Sequence, residues 1–265
     1  MRYELLGPVR LADRGRTTAV GPRRVQTVLS VLLIRAGEMV TRDQLIAEIW
    51  ADDPPRQATA AVHVYLSKLR KALTAAGCPG GTVLTHETGY VLRTGTDEVD
   101  FDIVLRLASR GRALMRHGRF TDAIRVLEGA LALWRGPVLG GLRAGHVVDG
   151  FVTQLTETRL SCLEMLIDCR LERGLHRELV GPLHSIVAEH PMRETFHRQL
   201  MVALYRSDRQ ADALNVYHLA RKTLDDQLGV RPGKMLQRTQ QAILRADDEL
   251  LARCHDGGME WTESA

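Results

Sequence analysis

The feature of this sequence most suited to chemistry is a helical face rich in cations. From Arg56 to about Ala75, apolar residues recur at helical spacing, which predicts a helix with one buried side. The opposite side is polar and basic, and it consists of Arg56, Thr59, His63, Ser67, Arg70, Lys71 and Thr74. Cationic side chains grouped in this way can neutralise phosphates, and hydroxyl groups can hydrogen-bond to base edges. An ordinary amphipathic helix with a solvated polar face is the alternative, and the helix alone does not decide between the two.

Short strands and two earlier helices precede this segment and would position it. The first twenty residues alternate strand-like runs with turns, which predicts an antiparallel meander. A helix follows with Pro22 as its first residue, and a second is capped by Thr41, whose hydroxyl can accept a free backbone N–H. Two short strands then flank Glu87-Thr88-Gly89 and predict a hairpin, with glycine where a positive φ is needed. Together these elements predict a winged helix, an α+β domain, over residues 1–95.

A winged helix would place the third helix in a major groove of DNA and the hairpin tip beside it. Basic side chains of the helix are then expected at phosphates, whereas His63 and Ser67 would face the bases. The small tip would touch the minor groove or its phosphates. The predicted DNA contacts are Arg24, Arg42, Arg56, Thr59, His63, Ser67, Lys68, Arg70, Lys71, Thr88 and Gly89.

The distribution of charge agrees with an N-terminal domain that binds a polyanion. Residues 1–95 contain 13 Lys and Arg against 8 Asp and Glu, whereas the remaining 170 residues contain 23 against 24. The excess of positive over negative residues that gives the net charge of +4 therefore lies entirely in the first third of the chain. A scatter of surface arginines without a binding role is the alternative explanation of this asymmetry.

The rest of the sequence indicates pairs of helices. Three inter-helix turns can be superposed, at Gly118, Gly174 and Asp208, and the last two lie 34 residues apart, the period of a tetratricopeptide helix pair. The first two lie 56 residues apart, and a glycine-rich insertion from Gly136 to Gly150 would absorb much of the excess. The pattern predicts a degenerate all-α solenoid of three helix pairs.

The domain organisation follows from these two patterns. The polar residues 94–100 mark a junction between the winged helix of residues 1–95 and a tetratricopeptide-like domain of residues 98–255. Within the second domain, a final helix from about Lys234 to Leu251 would cap the solenoid by covering its last apolar face. Residues 256–265 are predicted to be a C-terminal tail, so the fold class is mainly α.

Seven stretches spread along the chain form a specific set when taken together. They are Leu5-Leu6-Gly7-Pro8-Val9, Val40-Thr41-Arg42-Asp43-Gln44-Leu45-Ile46 with Trp50, Val64-Tyr65-Leu66-Ser67-Lys68-Leu69-Arg70-Lys71-Ala72-Leu73, Thr88-Gly89-Tyr90-Val91-Leu92, Ala130-Leu131-Ala132-Leu133-Trp134-Arg135-Gly136, Glu189-His190-Pro191-Met192-Arg193-Glu194 and Leu228-Gly229-Val230-Arg231-Pro232-Gly233. On these residues the chain resembles the Streptomyces antibiotic regulatory protein family over roughly residues 2–250. In that family an OmpR-like winged helix is joined to a bacterial transcriptional activation domain.

The resemblance implies a sequence-specific transcriptional activator of a secondary-metabolite, or antibiotic, gene cluster in an actinomycete. Such proteins bind direct repeats in promoter DNA side by side as homodimers, near the minus-thirty-five element, and contact RNA polymerase holoenzyme including its sigma subunit. In OmpR-like winged helices the exposed loop after the second helix meets polymerase, so Asp52 and Asp53 are the expected contact here. A helix-ending turn without a partner is the alternative for that loop.

Other classes of function find little support in the sequence. It has no Walker-type phosphate loop, and no pair of histidines matches the spacing of Cys162 and Cys169, so we expect no catalytic residues, no metal and no cofactor. No apolar run is long enough to cross a membrane, and Glu4, Gly7 and Pro8 interrupt the region where a signal peptide would lie. These features predict a cytoplasmic protein of the nucleoid with no membrane partner. A tetratricopeptide-type interaction scaffold whose winged helix does not bind DNA is the alternative function.

Overall fold

The helices and strands follow the predicted order of a winged helix and then helix pairs. The computed structural model describes residues 1–78 and 82–247. The first elements are β1 (Arg2–Glu4), β2 (Arg10–Asp13), β3 (Arg16–Ala19), α1 (Arg23–Ile34), β4 (Val40–Thr41), α2 (Arg42–Trp50), α3 (Ala58–Ala75), β5 (Val83–Thr85), β6 (Gly89–Leu92) and β7 (Glu98–Val99). The later helices are α4 (Asp100–Arg116), α5 (Phe120–Leu131), α6 (His146–Glu172), α7 (His176–Glu189), α8 (Glu194–Tyr205), α9 (Gln210–Leu228) and α10 (Lys234–Arg245). The predicted fold class, a winged helix followed by helical repeats, is confirmed.

Two small sheets frame the first three helices. One sheet has the strand order β3-β2-β1-β7, and the other has the order β4-β6-β5. The antiparallel meander of β1, β2 and β3 is confirmed, but β7 was not predicted. It pairs in parallel with β1, joining Arg2 to Glu98 and Tyr3 to Val99. The polar segment expected to be a junction therefore contributes a strand to the N-terminal sheet.

The start of α2 confirms one local prediction, and the start of α3 corrects another. The Thr41 hydroxyl accepts a hydrogen bond from the Gln44 N–H at 3.2 Å, and the Gln44 side chain accepts one from the Thr41 N–H at 2.9 Å. This capping box satisfies two free N–H groups of the first turn. Helix α3 begins at Ala58, whereas we expected Arg56, because the Ala58 N–H closes a turn onto the carbonyl of Pro55.

Gly89 is required by a close approach of two strands. It starts strand β6, and we expected a left-handed backbone there, which the structure does not show. A Cβ atom at this position would collide with the Val40 carbonyl oxygen and would lie 3.0 Å from the Thr41 Cα. Glycine therefore allows strand β4 to pack directly against β6, and the prediction of a positive φ was wrong.

One apolar core extends from the winged helix into the residues that follow it. Its largest fully buried side chains include Tyr3, Leu5 and Leu29. The same cluster also contains side chains from beyond the predicted boundary: Val99, Val104, Val138, Leu139, Leu142, Val148, Phe151 and Leu155. By internal contacts, residues 1–109 with 129–161 form one compact unit, and residues 110–128 with the described residues from 162 to 247 form another. The domain boundaries between residues 95 and 98 and at 255 stay predictions.

Asp100 is a buried carboxylate at the start of α4. It accepts hydrogen bonds from the N–H groups of Leu5 and Leu6 at 2.8 to 2.9 Å, and from the Arg135 guanidinium at 3.2 Å. Burial raises the pKa of this carboxyl, although the two N–H groups and Arg135 favour its charged form. The carboxylate thereby joins the chain after residue 99 to the first strand region.

The turns of the three helix pairs share one backbone conformation. Gly118, Gly174 and Asp208 have φ values of 67°, 76° and 64°, so each lies in the left-handed region that glycine and aspartate tolerate best. The superposition made from sequence therefore identifies equivalent turns. Helix α8 packs against α7 and α9, and α10 packs against α8 and α9, as a capping helix would. The predicted extension of that helix to Leu251 and the tail of residues 256–265 lie outside the described residues.

The glycine-rich insertion has structure of its own. A short 3-10 turn spans Val138–Gly141, and α6 already begins at His146. The Arg135 N–H donates to the carbonyl of Leu6 at 2.7 Å, and the Leu139 N–H donates to that of Leu5 at 2.8 Å. We expected this segment to separate two helix pairs, but it packs on the N-terminal sheet region as well.

Candidate nucleic-acid interface

Helix α3 presents the predicted polar face to solvent. Val62, Leu66, Leu69 and Leu73 are buried beneath the helix and fix its orientation. On the outer side, five predicted contact residues are exposed together: Thr59, His63, Ser67, Lys68 and Lys71. The ion pairs of the described residues include neither Lys68 nor Lys71. This face therefore offers two cations, a hydroxyl pair and an imidazole to a ligand.

Arg70 differs from the other predicted contacts. Its guanidinium donates to the carbonyl of Val83 at 3.0 and 3.2 Å and to the hydroxyl of Thr85 at 2.7 Å. The side chain is half-buried, and these bonds join helix α3 to strand β5 of the hairpin. The predicted contact of Arg70 with a phosphate stays a prediction, and in the structure its guanidinium joins the hairpin to the helix.

The hairpin tip lies next to the first turn of α2. The tip is closed by a hydrogen bond from the His86 N–H to the Gly89 carbonyl at 2.8 Å, and Thr88 is exposed. The Arg42 N–H donates to the Thr88 carbonyl at 3.4 Å, while the Arg42 Nε is buried without a partner among the described residues. Gly89 is itself buried, and its contact with DNA stays a prediction.

Arg24 is held at the start of α1 by two aromatic side chains. One guanidinium nitrogen donates to the Tyr65 hydroxyl at 3.0 Å, and the guanidinium carbon lies 5.5 Å from the centre of the Trp50 ring. The two rings are themselves 6.0 Å apart. Arg24 is exposed, so this cluster orients a cation that still reaches solvent. Sequence reasoning did not predict the contact of these two aromatic residues with Arg24.

A second residue that sequence reasoning missed is Val64. Its side chain is 49% exposed in the middle of α3, on the same face as Ser67 and Lys71. The spacing from Ala60 to Val64, Ser67 and Lys71 follows the helical repeat, so the sequence contained the signal. An exposed aliphatic group on such a face can contact the methyl group of thymine.

The loop between α2 and α3 has both signs of charge. Residues 51–57 are all exposed, and they include Asp52, Asp53 and Arg56. The ion pairs of the described part of the chain include neither aspartate. Ala51 adopts a φ of 52°, which turns the chain sharply out of α2. The loop therefore presents two adjacent carboxylates to solvent.

The cysteines and the acidic residues do not form a reactive centre in the described residues. Burial raises the pKa of the Cys162 thiol to about 11 and that of Cys169 to about 12, so both are protonated at neutral pH. Residues 1–78 and 82–247 contain no group of three His, Cys, Asp or Glu side chains arranged to hold a metal ion. In the same residues, none of the helices has the length and apolarity needed to cross a membrane.

Comparison with protein families decides the class of this chain. Residues 17–92 match the family described as transcriptional regulatory protein, C terminal. Residues 99–244, more than half of the chain, match the bacterial transcriptional activator domain. The chain belongs to the Streptomyces antibiotic regulatory protein family. The resemblance inferred from the sequence is therefore confirmed.

Individual members of this family align over most of the chain. It is 40% identical to regulatory protein AfsR of Streptomyces coelicolor over 94% of its own length, but it spans only 25% of AfsR. It is 38% identical to transcriptional regulator RedD of the same organism, covering 94% of this chain and 72% of RedD. Transcriptional regulatory protein MoaR1 of Mycobacterium tuberculosis is 34% identical, and the alignment covers 98% of this chain and 85% of MoaR1.

A solved structure supports the same assignment. Mycobacterium tuberculosis EmbR in complex with a low-affinity phosphopeptide has a TM-score of 0.86 and 34% sequence identity, and the match covers 92% of this chain and 65% of that one. The matching members of this family are named as a regulatory protein, a transcriptional regulator and a transcriptional regulatory protein. The chain accordingly combines the two domains matched by this family of regulatory proteins.

Proposed function

We propose that the chain activates a secondary-metabolite, or antibiotic, gene cluster by binding promoter DNA and recruiting RNA polymerase holoenzyme on the nucleoid. One observation carries the DNA-binding part of the proposal. Helix α3 exposes Lys68 and Lys71 beside hydroxyl and imidazole groups, and Arg70 ties the hairpin to the same helix. A helix of this width fits a major groove, and the hairpin would then lie over the adjoining phosphates.

The proposed target is a pair of direct repeats near the minus-thirty-five element, occupied by two copies side by side. Each copy would hold one repeat through its own α3. Contact between neighbouring copies would then raise occupancy, since the second copy binds at a high effective concentration. Such cooperativity needs no stable dimer in solution.

Selection from random duplex DNA tests this proposal directly. We expect the full chain to enrich a short motif repeated in the same orientation, and to bind two repeats more tightly per copy than one. Gel-shift titrations on one repeat, two repeats and a scrambled duplex measure both effects. No enrichment of any sequence, or enrichment of an inverted repeat, would contradict the proposal.

The proposed polymerase contact is the acidic loop of residues 51–57. Asp52 and Asp53 are exposed, and the carboxylates could pair with a basic surface of the sigma subunit. Replacing both with lysine should lower activated transcription in vitro by about tenfold or more, because attraction becomes repulsion. Promoter occupancy, measured by footprinting in the same reactions, should stay complete.

A matched control exists on helix α9, where Asp225 and Asp226 form another exposed pair. Their replacement with lysine changes the net charge equally and suits the carboxyl end of a helix. We expect this variant to activate normally. Normal activation by the variant with Asp52 and Asp53 replaced would show that the loop has no polymerase partner.

A further inference from the structure

The end of α2 and the start of α6 satisfy each other's free backbone groups. The last carbonyls and the first N–H groups of a helix have no partner within it. Here the Gly145 N–H donates to the Glu48 carbonyl at 3.1 Å. In return, the Glu48 carboxylate accepts from the Val147 N–H at 2.8 Å and from the Val148 N–H at 3.1 Å. We name these four residues the reciprocal cap.

The reciprocal cap is buried and has little room for change. Glu48 is 5% exposed, although it is a charged residue on a surface helix. A Cβ atom on Gly145 would lie 2.7 Å from Glu48 Oε1 and 2.9 Å from Glu48 Cα, closer than real side chains approach. The negative carboxylate also faces the positive end of the α6 dipole, which strengthens the contact. The reciprocal cap therefore requires both glycine at position 145 and glutamate at position 48.

This arrangement fixes the turn of α2 from which the acidic loop leaves. Helix α2 ends at Trp50, two residues after Glu48. In the same last turn the Ala51 N–H donates to the carbonyl of Ala47 at 2.9 Å, and the Asp53 N–H donates to that of Trp50 at 3.2 Å. Of the carbonyls of Ala47, Glu48 and Trp50, only that of Glu48 accepts its hydrogen bond from a residue outside α2 and the loop after it. The reciprocal cap is therefore the attachment that anchors the base of the loop to α6.

We infer that Glu48 and Gly145 are positioning residues for the contact between Asp52-Asp53 and RNA polymerase. This inference rests on the polymerase contact proposed above. The two residues hold the end of α2 in place, and the loop then presents its carboxylates in one position. Neither residue belongs to the exposed face of α3, since Glu48 lies in α2 and Gly145 immediately precedes α6.

Two substitutions in the full chain loosen the cap from opposite sides. Glu48→Gln removes the negative charge and leaves only one acceptor for two N–H groups, whereas Gly145→Ala pushes the backbones apart. For each we expect about tenfold less activated transcription at low polymerase concentration, recovery at high polymerase concentration, and promoter affinity within about twofold of the original chain. Gly150→Ala is the control, because nothing lies within 4 Å of a Cβ added there.

Combining Glu48→Gln with the lysine substitutions at Asp52 and Asp53 decides whether the cap acts through the loop. If it does, the combined variant loses no more activation than the loop variant alone. Additive losses would overturn the inference, as would normal activation by both cap variants while the loop variant is defective. If the loop variant itself activates normally, the proposed polymerase contact fails, and any loss in the cap variants then has another cause.

Discussion

Replacing Lys68 and Lys71 with alanine should weaken binding to promoter DNA about 10- to 100-fold at moderate salt. Both side chains are exposed on α3 and are unpaired with any described carboxylate. A lysine that neutralises a phosphate releases condensed counterions, and this release dominates the affinity of proteins for DNA. The slope of log affinity against log salt should fall by about 0.9 for each lysine, or roughly 1.8 for the pair. Gel-shift titrations at four salt concentrations measure both quantities.

The chain provides its own control for this experiment. It contains four lysines, and the other two are Lys222 in α9 and Lys234 at the start of α10, both exposed. The variant with alanine at these two positions has the same net charge as the α3 variant, and we expect it to bind DNA with the original affinity and slope. If the two variants behaved alike, only total charge would matter, and α3 would not be the recognition helix. Circular dichroism spectra of both variants check that they fold, which we expect because alanine favours a helix.

Local signals in the sequence account for the parts of the site that were predicted correctly. The capping hydroxyl of Thr41 acts within three residues, and the buried stripe of α3 follows from helical spacing alone. The turns at Gly118, Gly174 and Asp208 were found by superposing similar segments of the sequence, and each has the left-handed residue that such a turn between two helices needs. In all these cases the deciding interaction lies within one or two turns of the chain.

Distant partners account for the parts that were missed. Helical spacing places Arg70 beside the polar face, but only the folded hairpin brings the Val83 carbonyl within 3.0 Å of its guanidinium. A phosphate and a carbonyl satisfy the same donor, so the sequence cannot distinguish them. The partners of Glu48 could not be predicted for the same reason, because they lie about a hundred residues further along the chain. The spacing of residues determines which side of a helix is buried, but not which distant group satisfies a charge.

The largest consequence of these distant contacts concerns the N-terminal domain itself. A fragment of residues 1–97 contains every element of the predicted winged helix, yet we expect it not to fold cooperatively. The cut removes β7, and it removes the Asp100 carboxylate that accepts the N–H groups of Leu5 and Leu6. A hydrogen bond to a charged group contributes about 1.5–3 kcal/mol, so the loss of these two costs several kcal/mol.

Apolar burial adds to this loss. The fragment lacks Val138, Leu139, Val148 and Phe151, which share one core with the winged helix. Burying a side chain of this kind contributes about 1.5–3 kcal/mol, so the four together contribute roughly 6–12 kcal/mol, about the whole stability of an ordinary domain. Thermal unfolding followed by circular dichroism should show no cooperative transition for the fragment. A chain ended after Asp247, which keeps every described element, should unfold in a sharp transition. A fragment of residues 1–97 that unfolds cooperatively and binds one repeat would instead establish the domain boundary where the sequence placed it.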